Sequence, residues 1–151
     1  MTAEILWRSF CAETNIDEST SYDAWAFGSA PDELAALTLA GVKTATASAY
    51  DLYALDGEPV PQVGEYSVLL DSRGEALCVL RDTKVYVASF REVSEEQAYR
   101  EGEGDRSLTY WRQVHRDFFT DELAECGLQF SEEMPVLCEE FEVVWPKKAG
   151  I

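Results

Sequence analysis

Positive charge is scarce in this chain: 12 Lys and Arg stand against 29 Asp and Glu, a formal net charge of −17. Proteins that follow a nucleic-acid backbone gain affinity when Lys and Arg release its counterions. A field this negative repels a long polyanion. The composition excludes a long duplex as partner and leaves a small nucleoside-like ligand, or a short RNA segment held in a local basic pocket. Histidine is scarcer still, with His115 alone, and Cys11, Cys78, Cys126 and Cys138 are unevenly spaced with no CxxC pair. A structural zinc site draws paired ligands from short knuckles. With no such cluster visible, no metal and no cofactor are expected, and the cysteines read as buried or half-buried free thiols in a reducing compartment. No apolar run reaches the roughly 18 residues of a membrane-spanning helix. The opening MTAEILWRSFCAETNIDEST has acids where a signal peptide carries basic residues. These absences together suggest a cytoplasmic protein with no membrane partner.

What is present suits one globular domain over residues 1–151, with 46% hydrophobic and 12% aromatic residues. Ile5, Leu6 and Phe10 recur at helical spacing in residues 3–13, and Tyr22, Trp25 and Phe27 read as the seal of a core edge. Pro31 sits where a first helical turn accepts proline, with Asp32 and Glu33 at the positive end and Gly41 as the stop. A short helix or turn is expected over 49–56. EYSVLLD and EALCVLRDTKVYVASF read as strands joined by the turn at 71–74. Ser94 followed by Gln97 is a capping box. Leu108, Trp111, Val114, His115, Phe118 and Leu123 mark a helix over about 107–125, and PVLCEEFEVVWP closes as a strand, with Phe141, Val143 and Trp145 alternating. The order of elements is α+β, with local hairpins and one returning strand suggesting a small antiparallel or mixed barrel.

Within this acidic chain, GVKTATAS at 41–48 places Lys43 with no acid within six residues on either side. No local helical pairing explains it. The plain reading is a solvated lysine just past a helix C-terminus, where a cation is favoured, followed by a strand-forming Thr46. The other reading is that Lys43 meets a partner from far along the chain, or a ligand.

AWAFG at 24–28, ELAALTLAGVKTATAS at 33–48, GEPVPQVGEYSVLLD at 57–71, EEQAYREGEGDRSLTYWRQVHRDFF up to 119 and the C-terminal FEVVW together resemble the ASCH domain family, in its longer bacterial form. The resemblance implies a small PUA-like mixed β-barrel flanked by helices, with a cleft facing RNA or a nucleoside. Some short members of that family hydrolyse the acetyl amide of N4-acetylcytidine with a Lys, a Thr three residues on and a downstream Glu. Others have ribonuclease or RNA-binding roles. Carried over, the catalytic residues are Lys43, Thr46 and a glutamate of EGEG, Glu101 or Glu103, with Glu101 preferred because it directly follows AYR. Ligand contacts are expected from Trp25, Phe27, Gly41, Thr44, Ser48, Arg106 and Tyr110. At Ser48 this chain departs from the short members, which carry an Arg there.

Amide hydrolysis needs a nucleophile, a base and a partner for the oxyanion. A neutral Lys43 could take the proton of Thr46, which would require a pKa about three units below the usual ~10.4, or roughly 4 kcal/mol. A nearby carboxylate opposes that shift, and then the Glu activates Thr46 or a water while charged Lys43 faces the oxyanion. Residues three apart on a regular strand point to opposite faces, so a shared site requires the strand to begin after Lys43 or the chain to turn. The plain alternatives are a solvated acidic loop for EGEGD, core packing for Trp25, Phe27 and Trp111, and a packed side chain for His115. The alternative functions are an RNA- or nucleotide-binding module without turnover, and a ribonuclease.

Overall fold

A computed structural model describes residues 1–146. Its elements are helices α1 (Ala3–Thr14), α2 (Pro31–Leu39), α3 (Asp51–Leu55), α4 (Glu95–Glu101) and α5 (Leu108–Glu125), and strands β1 (Tyr22–Trp25), β2 (Ala45–Ala49), β3 (Tyr66–Leu70), β4 (Ala76–Ser89) and β5 (Pro135–Trp145). The strands hydrogen-bond in the order β1-β3-β4-β5-β2. β1 runs parallel to β3, whereas β3–β4 and β2–β5 are antiparallel, so the sheet is mixed. The α+β class is therefore as expected. The sheet is not closed, however: it ends at β1 and β2 among the described residues.

Contacts divide the chain into two compact units. The first takes, among the described residues, Met1–Lys43, Val63–Thr83 and residues 141–146. Here the period of two in β3 and β4 sends side chains to two separate clusters. Val68 and Val79 pack with Leu6, Trp7, Phe10 and Cys11 of α1. Leu69, Cys78 and Leu80 pack with Phe27, Ala35 and Phe141. Tyr22 stacks on Trp7 with centroids 4.5 Å apart, which places the expected edge seal. Ile5 departs from the expectation: α1 turns Leu6, Trp7, Phe10 and Cys11 inward and leaves Ile5 half exposed.

The second unit takes Thr44–Gln62 and Lys84–Glu140. Its core joins Trp111, Phe119 and Leu123 of α5 to Phe90, Val93, Ala98, Met134, Val136 and Cys138. Removing each such large apolar side chain from water stabilises by about 1.5–3 kcal/mol. Ser94 caps α4 and Ser107 caps α5, each hydroxyl accepting a backbone N–H three residues on. The other half of the expected capping box is replaced, because the Gln97 amide turns inward to other partners. The outer edge of β2 is covered: Thr44 N–H donates to the Arg100 carbonyl at 2.7 Å, and the Thr46 carbonyl accepts from Gln97 Nε2 at 3.1 Å. Cys11, Cys78 and Cys138 are buried free thiols, but Cys126, at the end of α5, is exposed rather than half-buried.

Candidate functional site

The chemistry-bearing side chains of the second unit gather where α4 ends and α5 begins. Gly102, at φ 74, stops α4 and turns the chain into EGEGD. Gly104 at φ 58 and Arg106 at φ 64 keep that loop tight. Asp105 accepts the Ser107 N–H, and Ser107 then caps α5. Glu101 on the last turn of α4 is 1% exposed. Its Oε2 accepts from Trp111 Nε1 at 2.5 Å and from Gln97 Nε2 at 3.2 Å. The same Gln97 amide nitrogen donates to the Thr46 carbonyl, so one side chain ties the motif threonine and the motif glutamate together. Tyr86 donates its hydroxyl to Gln97 Oε1 at 3.1 Å, which fixes the orientation of that amide.

His115 lies one turn along α5 from Trp111, stacked on its indole with centroids 4.1 Å apart. Its Nδ1 faces the Trp111 carbonyl at 2.9 Å, and its Nε2 lies 3.6 Å from Glu101 Oε1. Burial opposes charge on the imidazole, but the hydrogen bond and charge of Glu101 outweigh it, helped by the Trp111 carbonyl and Glu103, and hold its pKa above the usual 6.5. Cys138, in the same core, is pushed up to about 12, chiefly by burial and then by the charge of Glu101. Glu103 is half-buried in the loop, and Glu101, Glu103 and His115 bring one ligand atom each within 4.8 Å of one another. No spacing in the sequence announced this group. It comes from a helix stop at Gly102 followed thirteen residues later by a position on the inward face of the next helix.

The other nominated residues are distributed over both units. In the first unit Lys43 is 1% exposed, with Nζ 5.2 Å from the Phe27 ring centroid. The reading of Lys43 as a solvated surface lysine is therefore wrong. Strand β2 begins at Ala45, so Lys43 precedes it, and its N–H caps the end of α2 on the Leu37 carbonyl at 3.1 Å. Phe27 is buried with Trp25 edge-on at 5.1 Å, and Gly41, at φ 79, lies exposed after α2. In the second unit Thr44 bonds Arg100 and Thr46 is half-buried. Ser48 meets the Tyr53 hydroxyl at 2.8 Å, and both line a depression with Asp56, Glu58 and Glu122. Arg106 lies 3.6 Å over the Tyr99 ring, and Tyr110, partly exposed, covers Gly104. Among the described residues no helix is long and apolar enough to cross a membrane.

Comparison with known proteins converges on one family. The family model described as ASCH domain matches residues 23–145. A crystal structure of an ASCH domain from Lactobacillus crispatus JV V101 superposes with a TM-score of 0.87 at 33% identity, over 93% of this chain and 92% of that one. A protein of Enterococcus faecalis V583 superposes with a TM-score of 0.84 at 35% identity, over 93% of this chain and 86% of that one. The crystal structure of a hypothetical protein, at 19% identity and a TM-score of 0.57 over 82% of this chain and all of that one, shares the fold. No match was found among proteins of curated function. The extent of the family match and of the two close superpositions establishes that this chain belongs to the ASCH domain family.

Proposed function

We propose that this protein binds a nucleoside or a short RNA-derived ligand and hydrolyses an amide on it, of the kind found in N4-acetylcytidine, using Lys43, Thr46 and Glu101. Membership of the ASCH family supports RNA-related binding. The observation that carries the reading further is burial: the two charged residues nominated by the motif, Lys43 and Glu101, are each 1% exposed. Removing an ion from water costs several kcal/mol, and that cost is met at sites where the charge has work to do. Burial also favours Glu101 over the half-buried Glu103 as the working carboxylate.

In this reading Glu101 is the base. Its Oε2 accepts two hydrogen bonds, which hold the carboxylate in a fixed orientation. The hydroxyl of Thr46, or a water, adds to the amide carbonyl and gives its proton to Glu101. The positive charge of Lys43 stabilises the oxyanion as it forms. Collapse expels the exocyclic amine, which takes the proton back from Glu101. The acetyl group leaves as acetate, directly or by hydrolysis of the Thr46 ester.

The test is incubation with N4-acetylcytidine and a panel of acylated nucleosides, read by mass spectrometry. Deacylation is expected, with Lys43→Met and Thr46→Val each lowering turnover at least about a hundredfold, the loss typical of one transition-state partner. Full activity in Lys43→Met would remove Lys43 from the mechanism. Saturable binding of RNA fragments with no turnover on any amide would favour a binding module instead.

A further inference from the structure

Both ring nitrogens of His115 face acceptors. Nδ1 lies 2.9 Å from the Trp111 carbonyl, which can only accept, so Nδ1 carries a hydrogen. Nε2 lies 3.6 Å from Glu101 Oε1, in a residue only 9% exposed. A neutral ring with its hydrogen on Nδ1 would turn the Nε2 lone pair on a buried carboxylate. An imidazolium, with a hydrogen on each nitrogen, meets an acceptor at both ends. The indole of Trp111 gives a further reason for charge. The two rings stack with centroids 4.1 Å apart and planes 14° from parallel, and an aromatic face attracts a cation. Trp111 thus serves the pair three times: its carbonyl accepts from His115, its ring lies against the imidazole, and its Nε1–H donates to Glu101 Oε2. Burial alone favours the neutral ring, and Glu101, the Trp111 carbonyl and the charge of Glu103 overcome it. From the neighbouring strands, Cys138 and Tyr86 stay neutral in the same core. Burial and then Glu101 push the thiol up to about 12, and burial and then Cys138 raise the phenol.

We infer that His115, held as an imidazolium, is the positioning residue for Glu101: it anchors the ionised carboxylate and, through it, the network that reaches Thr46. This inference rests on the reading of Glu101 as the working carboxylate. His115 acts through Glu101 and touches no reacting atom. Glu101 Oε2 accepts from Gln97 Nε2, the same nitrogen donates to the Thr46 carbonyl, and Tyr86 fixes the other end of that amide. A neighbouring cation lowers the basicity of a carboxylate. What the site gains in exchange is position, a charged acceptor held at one place. Loss of the His115 proton reverses this. The Nε2 lone pair then faces Oε1, the carboxylate is pushed away, and the geometry at Thr46 loosens with it. The sign follows from linkage. The His115 pKa is raised in the folded chain, so the pairing stabilises fully below the ordinary 6.5 and is lost as pH rises through the folded value. The site therefore works on the acid side of that value and fails on the alkaline side.

His115 is the only histidine, so its nitrogen-15 signals in the full-length protein are unambiguous. A pH titration should show both nitrogens protonated at pH 6.5, with a midpoint above that value. Glu101→Gln should move the midpoint down by about one unit or more, since burial then meets less opposition. His115→Gln keeps a neutral donor and loses the charge. On N4-acetylcytidine it should lower kcat at pH 6.5 by roughly ten- to a hundredfold with KM little changed, the size of a small misplacement at a reacting centre. It should also erase the alkaline limb that the His115 proton gives the unmodified protein, a change that loss of packing alone would not produce. The midpoint of the unmodified protein keeps the test open if either variant fails to fold. A midpoint at or below 6.5, a midpoint that Glu101→Gln leaves in place, or an alkaline limb that survives in His115→Gln overturns the inference. The two readings fail separately. If no amide is hydrolysed, the amide reading falls and the two midpoints still decide whether His115 anchors Glu101. If turnover is found with its alkaline limb intact in His115→Gln, the amide reading stands and the positioning role falls.

Discussion

Trp111 and Glu101, both buried, are joined by a hydrogen bond of 2.5 Å from the indole Nε1 to Oε2. The indole is thus both a core side chain and the donor that makes a buried carboxylate tolerable. Trp111→Phe keeps most of the ring against Phe90 and His115 and deletes only the donor. Leaving a charged acceptor short of a partner costs about 1–3 kcal/mol. Urea denaturation should show a lower midpoint with an unchanged slope. Unaltered stability would mean that the other partners of Glu101 suffice to hold it.

The EGEGD turn carries its own test. A Cβ at Gly104 would lie 2.5 Å from the Tyr110 ring, and the residue sits at φ +58. Gly104→Ala should destabilise by about 1–3 kcal/mol through backbone strain and overlap together. Adding Tyr110→Ser should recover the overlap and not the strain, so the double variant is more stable than the sum of the single changes. Gly41 shares a positive φ, +79, with nothing within 4 Å. Gly41→Ala should therefore lose only the conformational part, about 1 kcal/mol.

Glu122 on α5 gives a pH dependence. Burial, then the charges of Asp56 and Glu125, raise its pKa above 4.5. The folded state therefore holds the proton more tightly than the unfolded one. The stability this contributes is present below about 4.5 and is lost as pH rises through the folded value. At pH 7 the ionised carboxylate opposes folding, and Glu122→Gln should raise Tm by about 1–3 °C, the effect of a fraction of a kcal/mol in a chain this size. Near pH 4 the gain should vanish. Thermal scans of both proteins across that range check the sign.

The thiols should separate by reactivity. Cys126 is exposed, whereas Cys78 and Cys138 are buried and pushed up to about 12 by desolvation. The thiolate is the reactive form. A thiol-directed dye under native conditions should label Cys126 rapidly and spare the other three until urea is added. Cys126→Ser should abolish the fast phase.

The secondary structure was legible because its signals are local. Pro31 and Gly41 bracket α2, the serine caps start α4 and α5, and alternating Val and Leu mark β3 and β4. Lys43, Thr46 and Glu101 were nominated by a motif, not by physics. That Lys43 and Glu101 are buried could not be read from residues 41–48 or 101–104, since burial depends on elements that arrive from elsewhere in the chain. The role of Gln97 was misread for a related reason. Ser94-x-x-Gln97 is a complete local cap on paper, but the amide instead bonds the Tyr86 hydroxyl, the Thr46 carbonyl and Glu101, two of them far off in sequence, rather than one N–H at a solvated helix end. His115 showed only helical periodicity, and its link to Glu101 arises from the packing of α4 against α5.

The covered rim of β2 has a consequence for how this protein behaves in a crowded cell. A terminal strand whose outward amides and carbonyls are free is a template on which a second chain can add a strand. Here the outward N–H of Thr44 and carbonyl of Thr46 are already taken by Arg100 and Gln97. The amide that orders the Glu101 group therefore also closes a route to aggregation. Selection on either property constrains the other, and a change at Gln97 made to retune chemistry would be met by a loss of solubility.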